Sequence, residues 1–158
     1  MKTIAGTILV VSSLLFMLTV LGAGCASPQP PAPTPTPPVV SHGGPVTDYV
    51  SLIDNLRASG ATVEPAGEIS QPFFSVKGNA ITVNGENVQV FEYADAAAVE
   101  AEAALVSADG SSVGTTMVSW VAAPHFYQAG KLIVLYVGDS ATVINVLEAV
   151  LGTQFAGR

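Results

Sequence analysis

The side chains best suited to chemistry or recognition cluster late in the chain. Trp120 is followed by Pro124-His125-Phe126-Tyr127 and then Lys131, and a second pair, Glu92-Tyr93, stands upstream between apolar residues. A histidine suits general acid–base work near neutral pH, and a carboxylate buried in an apolar strand would hold its proton more tightly than usual. A hydrolase built on these groups would need Glu92 and His125 within hydrogen-bond reach of one another, directly or through a water. Other chemistry lacks its residues. A zinc site takes three or four ligands, whereas the folded part of the chain offers one histidine and no cysteine, His42 lying in a glycine-rich joint. Around Asp109, the segment Ser107-Ala108-Asp109-Gly110-Ser111 carries one acid where a calcium loop needs several, and there is no Gly-x-Gly-x-x-Gly or Walker-type loop. We therefore expect no metal, no cofactor and no catalytic set. Trp120, His125, Tyr127, Tyr93 and Glu92 form a candidate binding patch, because rings with a polar tip suit recognition. The alternative is that Trp120 and Phe126 are core residues and that His125 bonds a backbone carbonyl.

The chain's single cysteine, Cys25, asks for its own explanation. It follows one basic side chain, Lys2, and a stretch from Thr3 to Gly24 without charge, whose centre is Ile8-Leu9-Val10-Val11 and Leu14-Leu15-Phe16-Met17-Leu18. This is the layout of an export signal. Leu21-Gly22-Ala23-Gly24-Cys25 resembles the bacterial lipoprotein signal in its looser form, with Gly22 where leucine is usual and Leu21 one place earlier. The resemblance implies removal of residues 1–24 and a diacylglyceryl thioether on Cys25, often with a third acyl chain on the new amino group. One acyl chain holds a protein only marginally, at about 0.8 kcal/mol per buried methylene, and two give a stable anchor. The other reading is an uncleaved membrane helix, since an apolar run of about 20 residues is long enough to span. Both put the rest of the chain on the same side.

Residues 25–45 join anchor to domain. Pro28, Pro30, Pro31, Pro33, Pro35, Pro37 and Pro38 exclude helix and sheet and favour polyproline II, about 3.1 Å per residue and on the order of 35 Å for a dozen residues. Ser41-His42-Gly43-Gly44 adds a flexible joint. A spacer needs no partner, whereas a docking motif for a proline-reading partner does.

Residues 46–158 are long enough for one core without disulfides or metals. The chain's net charge is −7 and its acidic residues all lie here, with only Arg57, Lys77, Lys131 and Arg158 as basic groups once Lys2 is removed. Such a surface argues against nucleic-acid binding and against lying flat on an anionic bilayer. Val46, Tyr49, Val50, Ile53 and Leu56 follow helical spacing, with Thr47 as the expected cap and Gly60 as the stop. Residues 61–64, 73–76, 80–83 and 88–93 read as strands of a meander, with turns at Pro65-Ala66-Gly67, Lys77-Gly78-Asn79 and Asn84-Gly85, the last a strong type I′ signal. Asp95 opens a helix over 96–106. Strands are expected over 115–121 and 132–137, joined by a loop over 122–130. The second is apolar throughout, as a central strand covered on both faces would be. Asp139 or Ser140 caps a last helix with Val143, Ile144, Leu147 and Leu151 inward, ended by Gly152.

A weak internal echo aligns Val90 with Val134, Asp95 with Asp139 and Val99 with Val143, at an offset of 44 residues. It suggests a duplicated strand-strand-helix unit. The fold class expected is α+β: a two-layer sandwich of an antiparallel sheet with helices packed mainly on one face. The blocks Val90-Phe91-Glu92-Tyr93-Ala94-Asp95, Ala123-Pro124-His125-Phe126-Tyr127, Leu132-Ile133-Val134-Leu135-Tyr136 and Gln154-Phe155-Ala156-Gly157 resemble those of small uncharacterised bacterial lipoproteins. That resemblance brings no activity and no catalytic residues. The expectation is a non-enzymatic binding or envelope-support module on the outer face of the cytoplasmic membrane, or on the outer membrane of a cell that has one. It would be held by lipid on Cys25, with an envelope protein or a small ligand as partner. A small-molecule accessory of a transporter is the alternative, and an unrecognised hydrolase a third.

Overall fold

A computed structural model describes residues 44–158. Residues 1–24, expected to be an export signal, Cys25, the proline-rich stretch and His42 lie outside the described residues. The first helix, α1 (Tyr49–Ala58), begins one residue later than Thr47 would place it. Asp48 caps it: the Ser51 N–H donates to Asp48 Oδ1 at 2.9 Å and the Asp48 N–H donates to Ser51 Oγ at 3.0 Å. This reciprocal box satisfies two end groups at once. The Thr47 carbonyl is instead taken by the Lys131 N–H at 3.0 Å. The buried stripe turns accordingly, with Leu52 and Leu56 fully buried and Val50 left 45% exposed.

Six strands form one open antiparallel sheet: β1 (Val63–Ile69), β2 (Gly78–Val83), β3 (Glu86–Glu92), β6 (Pro124–Ala129), β7 (Leu132–Val137) and β8 (Ala156–Gly157), in the order β1-β2-β3-β7-β6-β8. The remaining elements are α2 (Ala96–Ala103), the two-residue strands β4 (Ser112–Val113) and β5 (Thr116–Met117), and α3 (Ala141–Leu151). The β2–β3 hairpin turns on Asn84 and Gly85, at φ 51° and 87°, the positive pair a type I′ turn demands. As the unbroken apolar run implied, β7 is central and buried on both faces.

Alternation along the strands sorts side chains to two faces. Val88, Val90, Tyr127, Leu132, Val134 and Tyr136 meet Leu52, Ile53 and Leu56 of α1 and Val143 and Leu147 of α3. Phe91, Phe126, Ile133 and Leu135 meet Val99 and Ala103 of α2, together with Phe74, Tyr93 and Val113. The fold is therefore α+β, with two of its three helices on one face of the sheet.

Several strand expectations need correction. Residues 73–76 form turns, because Phe73 and Phe74 are drawn into ring contacts with Trp120 (5.9 Å between centroids) and Phe91 (4.6 Å). Pro65-Ala66-Gly67 is a bulge within β1, not a turn, and a proline is tolerated on this edge strand. Of residues 115–121 only Thr116–Met117 pair; the hairpin partner of β7 is Pro124–Ala129, within the stretch expected to be a loop. The cause is a two-residue turn at Gly130-Lys131, where Gly130 has φ 55° and a side chain would strike the Thr47 backbone. Helix α2 stops at Ala103, short of 106, where Val106 bridges to Val113 instead.

The echo has a geometric counterpart that is incomplete. Val90 and Val134, aligned in sequence, are direct cross-strand partners, as a two-fold axis between β3 and β7 would require. Such an axis keeps the two faces distinct, yet Val99 packs on one face and Val143 on the other. The caps differ by one place: Asp95 accepts from the Ala98 N–H at 2.9 Å, but its counterpart Asp139 yields to Ser140. One residue is the step that exchanges the faces of a strand.

Candidate functional site

The five residues of the candidate patch do not share one surface. Glu92, half-buried at the end of β3, accepts from Lys131 Nζ at 2.7 Å, and this bond holds the Lys131 ammonium above its usual range. Tyr93 is buried on the α2 face; its hydroxyl has no partner among the described residues. Burial first, and then the charge of Glu102, drives that phenol well above the ordinary tyrosine range. Tyr127 is fully buried on the opposite face, its hydroxyl also unpartnered among the described residues. Burial pushes it up to about 12, with smaller contributions from Glu148 and Tyr136.

His125 is buried as well. Its Nε2 lies 3.0 Å from the Gly138 carbonyl and its Nδ1 2.6 Å from Gln154 Oε1, and its ring stacks on Tyr136 at 5.8 Å. Nε2 faces a backbone carbonyl and Nδ1 a side-chain amide, so both nitrogens are engaged within the fold. The same corner caps α3. The Tyr136 hydroxyl accepts the Ser140 N–H at 3.1 Å, and Gly138 leaves room for it, since a side chain there would strike that hydroxyl. Glu92 pairs with Leu132 and His125 with Tyr136, at opposite ends of β7. Four residues of strand separate those positions by about 13 Å, so the two cannot share a proton or a water.

One motif escaped the sequence reading. Gly110-Ser111-Ser112-Val113-Gly114 spells Gly-x-Ser-x-Gly, the pattern of a serine nucleophile on a strand-to-helix elbow. Here Ser112 lies in the small β4–β5 hairpin with no helix after it, and its N–H is held by Ser107 Oγ at 2.9 Å. Asp109 is engaged nearby, accepting from the Ser107 and Ser111 hydroxyls and the Ser111 N–H. The Ser111 bonds foremost hold its carboxyl down at about 2.

Two of the five border an opening: Tyr93 shares one of about 260 Å³ with Ala98, Glu102 and Leu105, and Trp120 borders a larger one. Its indole N–H donates to the Gly110 carbonyl at 2.6 Å, and Phe73 and Phe126 meet the ring edge-on, each at 5.9 Å. The ring is thus fixed while half-exposed. It lines a cleft of about 430 Å³ with Ser111, Val118, Ala123, Pro124 and Arg158. Met117 and Val121, on the loop that forms the cleft, are 85% and 98% exposed. Arg158 follows β8 directly, and its N–H donates to the Pro124 carbonyl at 3.1 Å. Met117 and Val121 do not stand out in the sequence, because an apolar residue in a strand-like run reads as buried, and Arg158 stands out there only as one of four basic groups.

The cleft and the start of the domain lie at opposite ends of the strands. Thr47 is bonded to Lys131 at the β6–β7 turn, whereas Pro124, Gly138 and Arg158 gather at the other end of that hairpin. The six residues of β6 put about 17 Å between them. Among the described residues, no group of three or more His, Cys, Asp or Glu side chains is placed to hold a metal ion, and no helix is long and apolar enough to cross a membrane. No family model, curated protein or solved structure matches the chain.

Proposed function

We propose that this chain is an exported lipoprotein, anchored through acyl chains on Cys25, whose domain is a non-enzymatic binding module of the cell envelope. The observation that carries the binding role is the placing of the Trp120 cleft at the end of the sheet away from Thr47. A domain tethered at its start offers its far end to partners most readily. The lipid anchor rests on the leader and on Leu21-Gly22-Ala23-Gly24-Cys25. The engagement of both His125 nitrogens and the separation of His125 from Glu92 weigh against a hydrolase. A small-molecule accessory of a transporter is the second reading, and what favours it is the Trp120 cleft, whose volume of about 430 Å³ falls within the roughly 300–1,000 Å³ of small-molecule sites. The most apolar cleft, between α1 and β1 and lined by Tyr49, Ile53, Arg57 and Val63, measures about 180 Å³ and falls below that range.

Intact mass spectrometry of the chain expressed in a bacterial host tests the anchor. The expected mass is that of residues 25–158 plus a diacylglyceryl group, and Cys25→Ala should abolish the lipid and the cleavage. An unmodified thiol on a full-length chain would refute the anchor.

A further inference from the structure

We infer that the groove between α1 and β1 holds a segment of this same chain, Pro37-Pro38-Val39-Val40, which lies outside the described residues. The groove is lined by Tyr49, Val50, Ile53, Arg57, Val63 and Pro65, and Val50 is the one large apolar side chain that the helical face leaves 45% exposed. The place where the chain enters the domain selects the occupant. Asn55 Nδ2 donates to the Gly44 carbonyl at 3.0 Å, so the chain arrives alongside α1. Gly44 and Val50 line a neighbouring opening together, which puts Val50 between the point of entry and the groove. Four residues carry the chain from Val40 to Gly44, about 13 Å when extended, enough to round a helix about 10 Å across. Length fits as well. Tyr49 and Arg57 lie about 12 Å apart along α1, and four residues of polyproline II cover about 12 Å. So does hydrogen bonding. Polyproline II leaves its carbonyls without internal partners. The Tyr49 hydroxyl has no partner among the described residues, and the Arg57 guanidinium uses Nη2 alone, on the Val63 carbonyl at 3.1 Å, so both have donors to spare. Proline-rich segments dock on aromatic-lined grooves of this kind. Pairing with the β1 edge is not open to Pro37 and Pro38, which lack an N–H. At about 180 Å³ the groove is small for a separate ligand, but an attached segment is present at an effective concentration in the mM range, where weak contact suffices. Val39 and Val40 are the only large aliphatic residues between Cys25 and Val46, and the groove gives them cover.

The full chain in phosphatidylcholine nanodiscs, with tyrosine rings and valine methyl groups labelled, is followed by nuclear Overhauser contacts. Cross-peaks from the Tyr49 ring to methyl groups of Val39 or Val40 are expected, and they should survive about tenfold dilution because the segment is attached. Val50→Asp should abolish them, while peaks between the strand partners Tyr127 and Val134 report in the same spectrum that the domain is folded. A second variant leaves the domain untouched: Val39→Ser with Val40→Ser should shift the Val50 methyl signals, since Val50 loses its cover. Absence of the Tyr49 cross-peaks, or their persistence in a folded Val50→Asp chain, overturns the inference, as does an unmoved Val50 signal in the double serine variant. Loss on dilution also overturns it, because the segment would then come from a second copy, and so do peaks from Tyr49 to lipid methylenes in place of valine. None of these outcomes touches the lipid anchor, which intact mass decides separately.

Discussion

The two faces of the sheet are covered by different means. On one, α1 and α3 lay aliphatic side chains at helical spacing over Ile81, Val83, Val90 and Val134, and Leu52, Leu56, Val143 and Leu147 are fully buried. On the other, the cover is the eight-residue α2, the two-residue strands β4 and β5, and the turn around Phe73 and Phe74. Short elements bury little area per residue, and large rings compensate, each covering about 150–250 Å². The Phe74–Phe91 and Trp120–Phe126 contacts stand where the helical face has Leu and Val. A cover made of loops also leaves apolar side chains at its margins. Leu105, Met117 and Val121 are exposed around this face, whereas the helical face leaves only Val50 among large apolar residues. One face is closed by helices, and the other combines packing with exposed apolar side chains at its edge.

Phe126→Ala is the most severe test of that contrast. Phe126 is fully buried and touches both Trp120 and Phe155, so its truncation should cost about 3–5 kcal/mol in urea unfolding. A loss below about 1 kcal/mol would mean that the aromatic face is a loose cover and not a second core. Gly130→Ala probes the other face, where the start of the domain is fastened to the β6–β7 turn. The new methyl would meet the Thr47 backbone at positive φ, and about 2 kcal/mol of destabilisation is expected, with faster hydrogen exchange at the Lys131 amide. Unchanged exchange would show that the Thr47–Lys131 bond is not sensitive to this approach. Tyr127→Phe should have the smallest effect at neutral pH, neutral or stabilising by up to about 1 kcal/mol, because it removes a buried hydroxyl that has no partner. The effect should then grow with pH. A phenol whose folded-state value is raised from 10.0 to about 12 holds its proton more tightly when folded, so stability is intact below 10.0 and falls as pH rises through about 12. Tyr127→Phe should flatten that alkaline decline, as measured by chemical denaturation across this range. A decline of undiminished slope would place the titrating group elsewhere, with Tyr93 as the next candidate.

What the sequence determined by itself was local. Asn84-Gly85 specified its hairpin because both residues tolerate positive φ, Asp95 specified the start of α2 by capping the Ala98 N–H, and the apolar run from Leu132 to Val137 specified a strand with no solvent face. The α+β class followed from such elements in series. Tertiary structure decided what depends on distant partners. It paired β7 with Pro124–Ala129 instead of residues 115–121, drew Phe73 and Phe74 out of a strand into ring contacts, and sent α2 and α3 to opposite faces despite their similar junctions. The candidate patch was legible only as residue types. His125 and Tyr127 are core because tertiary packing covers both faces of β6, burying Tyr127 on one and Phe126 on the other. The exposure of Val121 and the placing of Arg158 beside Trp120 depend on a chain path of many residues that no local pattern encodes.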